Sequence, residues 1–141
     1  MESSEPQQQR QAMVGSYRPI PDLETDVRAQ SVAEFAVSSL ADATRTYSFA
    51  GSLASSGSSD IKFKLVKGSR QVVAGMNYRL FIMLQDTASG DCLGAFAVEV
   101  YDRFGSLSVT NWGKEISCND AEAMLKTELA MSDNYEGFFG N

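Results

Sequence analysis

The stretch that decides how this chain folds is Gln71-Val72-Val73-Ala74-Gly75. Before it stands Lys67-Gly68-Ser69-Arg70, which has the polar, glycine-containing composition of a turn. After it, Met76 to Leu84 reads as a strand. Tyr78, Leu80, Ile82 and Leu84 fall on one face, and Asn77, Arg79, Phe81 and Met83 on the other. The five residues therefore belong at or near the tip of a hairpin. Hairpin tips face water and are normally polar. Two adjacent valines there are out of place: they either fold inward as core or stay exposed to bind something.

Working outward, three more segments alternate as strands: Ile61–Leu65, Ala95–Tyr101 and Leu107–Trp112. Asp86–Asp91 and Asp102–Ser106 are the turns between them. Upstream, Asp22 is placed to cap a long helix reaching about Thr44, with Glu24 and Asp26 in its first turn to suit the dipole. Val32, Phe35, Ala36, Leu40 and Ala43 form one apolar stripe along it, with Phe35 as a core anchor. One amphipathic helix and an antiparallel meander bury each other's apolar faces, so the expected class is α+β.

The rest of the chain is punctuation. Residues 1–12 are rich in Gln, Ser and Glu and read as a disordered tail. Val14–Pro21 carries two prolines and reads as an extended arm or edge strand. Residues 51–59 are a Ser/Gly-rich loop, and Asp120–Met131 a short amphipathic helix within a C-terminal extension over 120–141. The segment NYEGFFG that follows is apolar and suggests no function by itself.

Composition narrows the function. The 141 residues suit one domain, and 43% hydrophobic with 21% charged residues is ordinary for a globular chain. A net charge of −6 argues against nucleic acid and anionic membrane surfaces as partners. The chain has no histidine, which removes Ser-His-Asp triads, Cys-His dyads and HExxH metal sites together. Paired carboxylates remain open as a catalytic device, but no phosphate-binding glycine loop or other cofactor motif is present. The expectation is a protein that is not an enzyme and needs no cofactor or metal. Cys92 and Cys118 alone cannot fill a zinc site, and counting leaves a disulfide and two free thiols equally open.

Over about Val14 to Ala121 the chain resembles the cystatin superfamily, the inhibitors of papain-like cysteine proteases. Gln71-Val72-Val73-Ala74-Gly75 fits that family's QxVxG signature, and Gly15 after Met13-Val14 looks like its N-terminal glycine. Val32-Ala33-Glu34-Phe35-Ala36-Val37 is similar to the LARFAV-type helix pattern of plant members, although Ser38-Ser39-Leu40-Ala41 departs from it. The resemblance implies a cystatin-like inhibitor domain over 13–119, with one long helix across a twisted sheet of four to five strands. It implies a Cys92–Cys118 disulfide and therefore secretion, with the cytoplasm as the alternative. It also implies a monomer, with a strand-swapped dimer as the variation open to such a fold.

The same resemblance assigns the protease-binding residues. Met13, Val14 and Gly15 form the arm, Gln71, Val72, Val73, Ala74 and Gly75 the first loop, and Arg103, Phe104 and Gly105 the second. Val72, Val73 and Phe104 supply apolar contact, while Gln71 and Gly75 shape the loop. The family's second loop usually carries Pro-Trp; here Phe104 stands in for the Trp, and Trp112 lies in the last strand. The implied partners are papain-like, cathepsin-like proteases. The alternative is a binding module of the same fold that does not inhibit.

Overall fold

The computed structural model describes residues 16–50, 60–126 and 133–139. Met13, Val14, Gly15 and the 51–59 loop lie outside them. The class is α+β: among the described residues, an open, five-stranded antiparallel sheet in the order β1-β2-β3-β4-β5, with two helices. The strands are β1 (Arg18–Pro19), β2 (Ile61–Val73), β3 (Gly75–Asp86), β4 (Cys92–Arg103) and β5 (Ser106–Ile116). The helices are α1 (Val27–Ser38) and α2 (Cys118–Lys126). Among the described residues no helix is long and apolar enough to cross a membrane.

Helix α1 is shorter than the sequence suggests, at 12 residues. Asp22 starts a turn, accepting from the Asp26 N–H at 2.9 Å, but Asp26 itself is extended and is the true cap. Its carboxylate accepts the Ala29 N–H at 2.9 Å. At the other end the Ser38 and Ser39 hydroxyls both donate to the Phe35 carbonyl at 2.8 Å. Such back-bonding competes with the helical ladder, and the chain passes into a 3₁₀ turn over Leu40–Asp42.

The helix lies on the sheet through small residues. Ala29, Val32, Ala33 and Ala36 are fully buried against Leu80, Ile82, Val98 and Val100. Phe35, expected as a core anchor, sits half-buried at the margin. Alanines at the contact bring the helix close to the strands and leave no room for a ring beneath it. Beyond its end, Tyr47 stacks on Phe49 at 5.1 Å and both lean on Phe96.

Lys67–Arg70 is not a turn. It continues β2, with a register shift between Leu65 and Lys67. Ser69 is buried, and a Cβ on Gly68 would stand 2.9 Å from Leu23 and 3.0 Å from Leu80. The glycine is there so that the segment before α1 can cross the strand. Across that strand, β1 pairs Arg18 with Arg70 and Pro19 with Ser69.

The second face of the sheet is also covered. Val66, Phe81, Met83, Ala95, Ala97 and Ile116 bury against Ala121 and Met124 of α2 and against Phe139. Phe81 meets the Phe138 and Phe139 rings at 5.4 and 5.2 Å. Cys92 at the start of β4 and Cys118 at the start of α2 are at disulfide distance, Cα–Cα 5.9 Å, across 26 positions of sequence.

Candidate protein-docking edge

The register fixes which ends of the hairpins coincide. Val73 pairs with Gly75, so Ala74 alone forms the first tip. Arg103 pairs with Ser106, so Phe104 and Gly105 form the second. Met76 pairs with Asp102, which sets the two tips side by side at one end of the sheet. β1 runs antiparallel to β2, so Ser16 and Tyr17, just ahead of Arg18, lie toward the same end. The Asp86–Asp91 turn lies at the opposite end, closed by the Asp86 N–H donating to the Asp91 carbonyl at 2.9 Å.

The first tip is tight because Gly75 has φ +109°, and a Cβ there would stand 2.5 Å from the Asp102 carbonyl oxygen. Only glycine has both the torsion and the clearance. The Tyr101 hydroxyl donates to the Ala74 carbonyl, and Asn77 Nδ2 donates to Gln71 Oε1 at 2.8 Å. In the second tip Phe104 and Gly105 have φ 52° and 101°, the paired positive values of a two-residue I′ turn. Asp102, only 4% exposed, accepts the Gly105 N–H at 2.8 Å and takes Arg28 of α1 as its ion-pair partner. One carboxylate thus fixes the second tip and ties it to the helix.

Asp26 does similar work beside the first hairpin, pairing with Arg70 at 2.9 Å. Partial burial alone would raise its carboxyl; the Ala29 N–H and the Arg70 guanidinium outweigh that and hold it below the ordinary 3.8. The hydrogen bond and charge of Asp102 raise Arg28 further above its already high value.

The edge exposes large apolar side chains beside polar ones. The exposed large hydrophobic residues among those described are Val27, Val72 and Phe104, at 75%, 55% and 84% exposure. All three belong to this end: Val72 and Phe104 on the tips, and Val27 in the first turn of α1, next to the Arg28 that reaches Asp102. The two valines of the first tip are not equivalent. Val72 is open, whereas Val73 is half-buried and lines a shallow pocket with Tyr17, Asn77, Glu99 and Tyr101. Gln71 and Gly75 are half-buried, and Ala74, Arg103 and Gly105 are exposed.

Sequence reasoning missed Val27, Tyr101 and Asp102. Val27 had no signal, because an apolar residue in a helix is ordinary. Tyr101 and Asp102 read as the end of a strand and the start of a turn, while their roles lie across strands. Among the described residues no three acidic or cysteine side chains converge on a point that could hold a metal. At the far end of the sheet a cleft of about 860 Å³ opens among Val37, Leu40, Tyr47, Ile61 and Phe63.

No protein-family model, curated protein or solved structure matches the chain.

Proposed function

We propose that the protein is a reversible, tight-binding inhibitor of papain-like cysteine proteases, cystatin-like in fold and in mode of action. The observation that supports this most is the pair of adjacent hairpin tips presenting Val72 and Phe104 to solvent. A wedge made of two tips and an arm enters a cleft with the catalytic Cys and His at its floor. Val72 and Phe104 lose water there, and burial of a few such anchors carries most of the affinity. The tips are already braced by Tyr101, Asp102 and Arg28, so little entropy is lost on docking. Met13 and Val14, ahead of Gly15, occupy apolar substrate subsites in this reading. No peptide carbonyl is offered to the nucleophile, so nothing is cut. The cysteine pair suits an oxidising compartment and a secreted inhibitor.

The second reading is a binding module of this fold that does not inhibit. It is favoured by the two-residue second tip, which projects one aromatic side chain, Phe104.

Titration of papain with the purified protein, read with a fluorogenic peptide, separates the two. The inhibitor abolishes activity near stoichiometric amounts; no inhibition at micromolar protein refutes it. Val72→Asp and Val73→Asp both place a charge in the interface, at a cost of about 2–3 kcal/mol or more, which weakens binding roughly a hundredfold. Removal of residues 1–15 tests the arm, and unchanged affinity takes it out of the site.

A further inference from the structure

Arg79 projects from β3 on the second face, between the apolar centre of the sheet and the tip end. Its guanidinium is enclosed by groups from three separated parts of the chain. Cζ stands 4.1 Å from the centroid of the Tyr17 ring and 5.3 Å from that of Phe139. Nε donates to Glu99 Oε2 at 2.6 Å, and Nη1 donates to the two Glu136 oxygens at 2.6 and 3.0 Å. Tyr17 precedes β1; Glu136 lies in a 3₁₀ turn over Asp133–Phe138, and Phe139, directly after it, packs on the second face.

The N-terminal segment needs such an anchor. β1 has only two residues in the ladder, and the Ile20 N–H bond to the Gly68 carbonyl at 3.0 Å adds one more. A ladder this short frays unless side chains hold it. The ring of Tyr17 supplies that hold through its contact with a cation that Glu136 and Phe139 also engage. Burial raises the Tyr17 phenol, which keeps the ring neutral beside Glu99 and Glu136.

We propose that Arg79 is a clasp through which the C-terminal segment 133–139 stiffens the Tyr17–Ile20 segment. The coupling is reciprocal: whatever loosens one segment loosens the other by the same factor. Its consequence for affinity rests on the function proposed above. There the arm is one edge of the wedge, and the C-terminal segment becomes a remote positioning element for it.

Amide exchange on the free protein tests the clasp without any protease. The reporters are the Ile20 N–H and the Phe139 N–H, which donates to the Glu136 carbonyl at 3.0 Å. Glu136→Lys, at an exposed position, should speed exchange at Ile20 about fivefold, and Tyr17→Leu should speed exchange at Phe139 by about the same factor. Tyr17→Phe keeps the ring and should leave both amides as they were. The Leu80 and Val98 amides in the sheet centre should not change, which shows that each variant is folded. Faster exchange confined to the segment that carries the substitution overturns the proposal, as does faster exchange in Tyr17→Phe. In papain titrations Glu136→Lys should weaken inhibition several-fold in the full chain and not in a chain lacking residues 1–17. Equal weakening in both overturns the link to the arm. A protein that inhibits nothing overturns the function, and the exchange result then decides the clasp alone.

Discussion

Gly75 and Gly105 have nearly the same backbone torsion, φ +109° and +101°, and very different surroundings. A Cβ on Gly105 meets nothing within 4 Å, whereas one on Gly75 meets the Asp102 carbonyl oxygen at 2.5 Å and the Tyr101 ring at 3.1 Å. Alanine at either position therefore carries the same torsional strain, and only Gly75→Ala adds a steric cost. The strain is worth about 2 kcal/mol. Forcing β3 and β4 apart at a backbone oxygen adds about another 2 kcal/mol, comparable to overpacking a core. With a urea m-value of about 2 kcal/mol/M, Gly105→Ala lowers the unfolding midpoint by about 1 M and Gly75→Ala by about 2 M. The assay is equilibrium urea unfolding followed by far-UV circular dichroism and by Trp112 fluorescence, with the slope unchanged between variants. Equal shifts for the two alanines refute the steric argument. A neutral Gly75→Ala refutes the torsional one as well. In the inhibition assay Gly75→Ala should also lose affinity, because the displaced tip carries Val72 away from Phe104.

Asp102→Ala removes the acceptor for the Gly105 N–H and the partner of Arg28 together, and should cost about 2–3 kcal/mol in the same urea experiment. A cost under about 0.5 kcal/mol, within the range of ordinary surface substitutions, shows that neither bond matters. The depressed Asp26 carboxyl stabilises the fold above the ordinary 3.8, and this contribution is lost as pH falls through its lower folded value. Asn still caps a helix, so Asp26→Asn should be less stable than the native chain by a constant amount at neutral pH, with the gap closing below pH 3.8. A gap that is the same at pH 7 and pH 2 contradicts the charge argument. Reducing the Cys92–Cys118 bond, which spans 26 positions, should lower stability by about 3.5 kcal/mol on the chain-entropy model. No change in the urea midpoint on adding reductant would show that the bond constrains the unfolded chain little.

Strand alternation is a local property, and the meander from Ile61 to Trp112 was readable for that reason. The extents of the elements were not, because they depend on partners. Asp26 displaces Asp22 as the helix cap because Arg70 stands across from it on β2. Lys67–Arg70 has turn composition, yet Gly68 is required by Leu23 and Leu80 crossing over it. The covered second face did leave a trace in the sequence. Phe81 and Met83 are apolar and alternate with the apolar residues of the first face, and a strand apolar on both sides needs a layer on each. The NYEGFFG segment suggested no role by itself, yet its Phe138 and Phe139 supply part of that layer. At the candidate docking edge the QVVAG tip was legible through its misplaced valines. The exposure of Val72 and the partial burial of Val73 follow from the pleat at the tip, which composition does not report. Tyr101, Asp102 and Arg28 act on the tips from other elements, so their roles appear only once the strands are in register.

The Asp86–Asp91 turn is exposed at its apex, and it is separated from the tips by the whole of β3. Eleven residue steps at about 3.3 Å place it roughly 36 Å from Gly75. Its geometry is held locally: the Asp86 carboxylate accepts the Ala88 and Ser89 N–H groups at 2.8 and 3.2 Å. A dye, a biotin or a surface tether attached through Ala88→Cys, which keeps those bonds, would therefore leave the protein pointing its tip end outward. Immobilised in that orientation, every molecule in a layer presents the same face to solution.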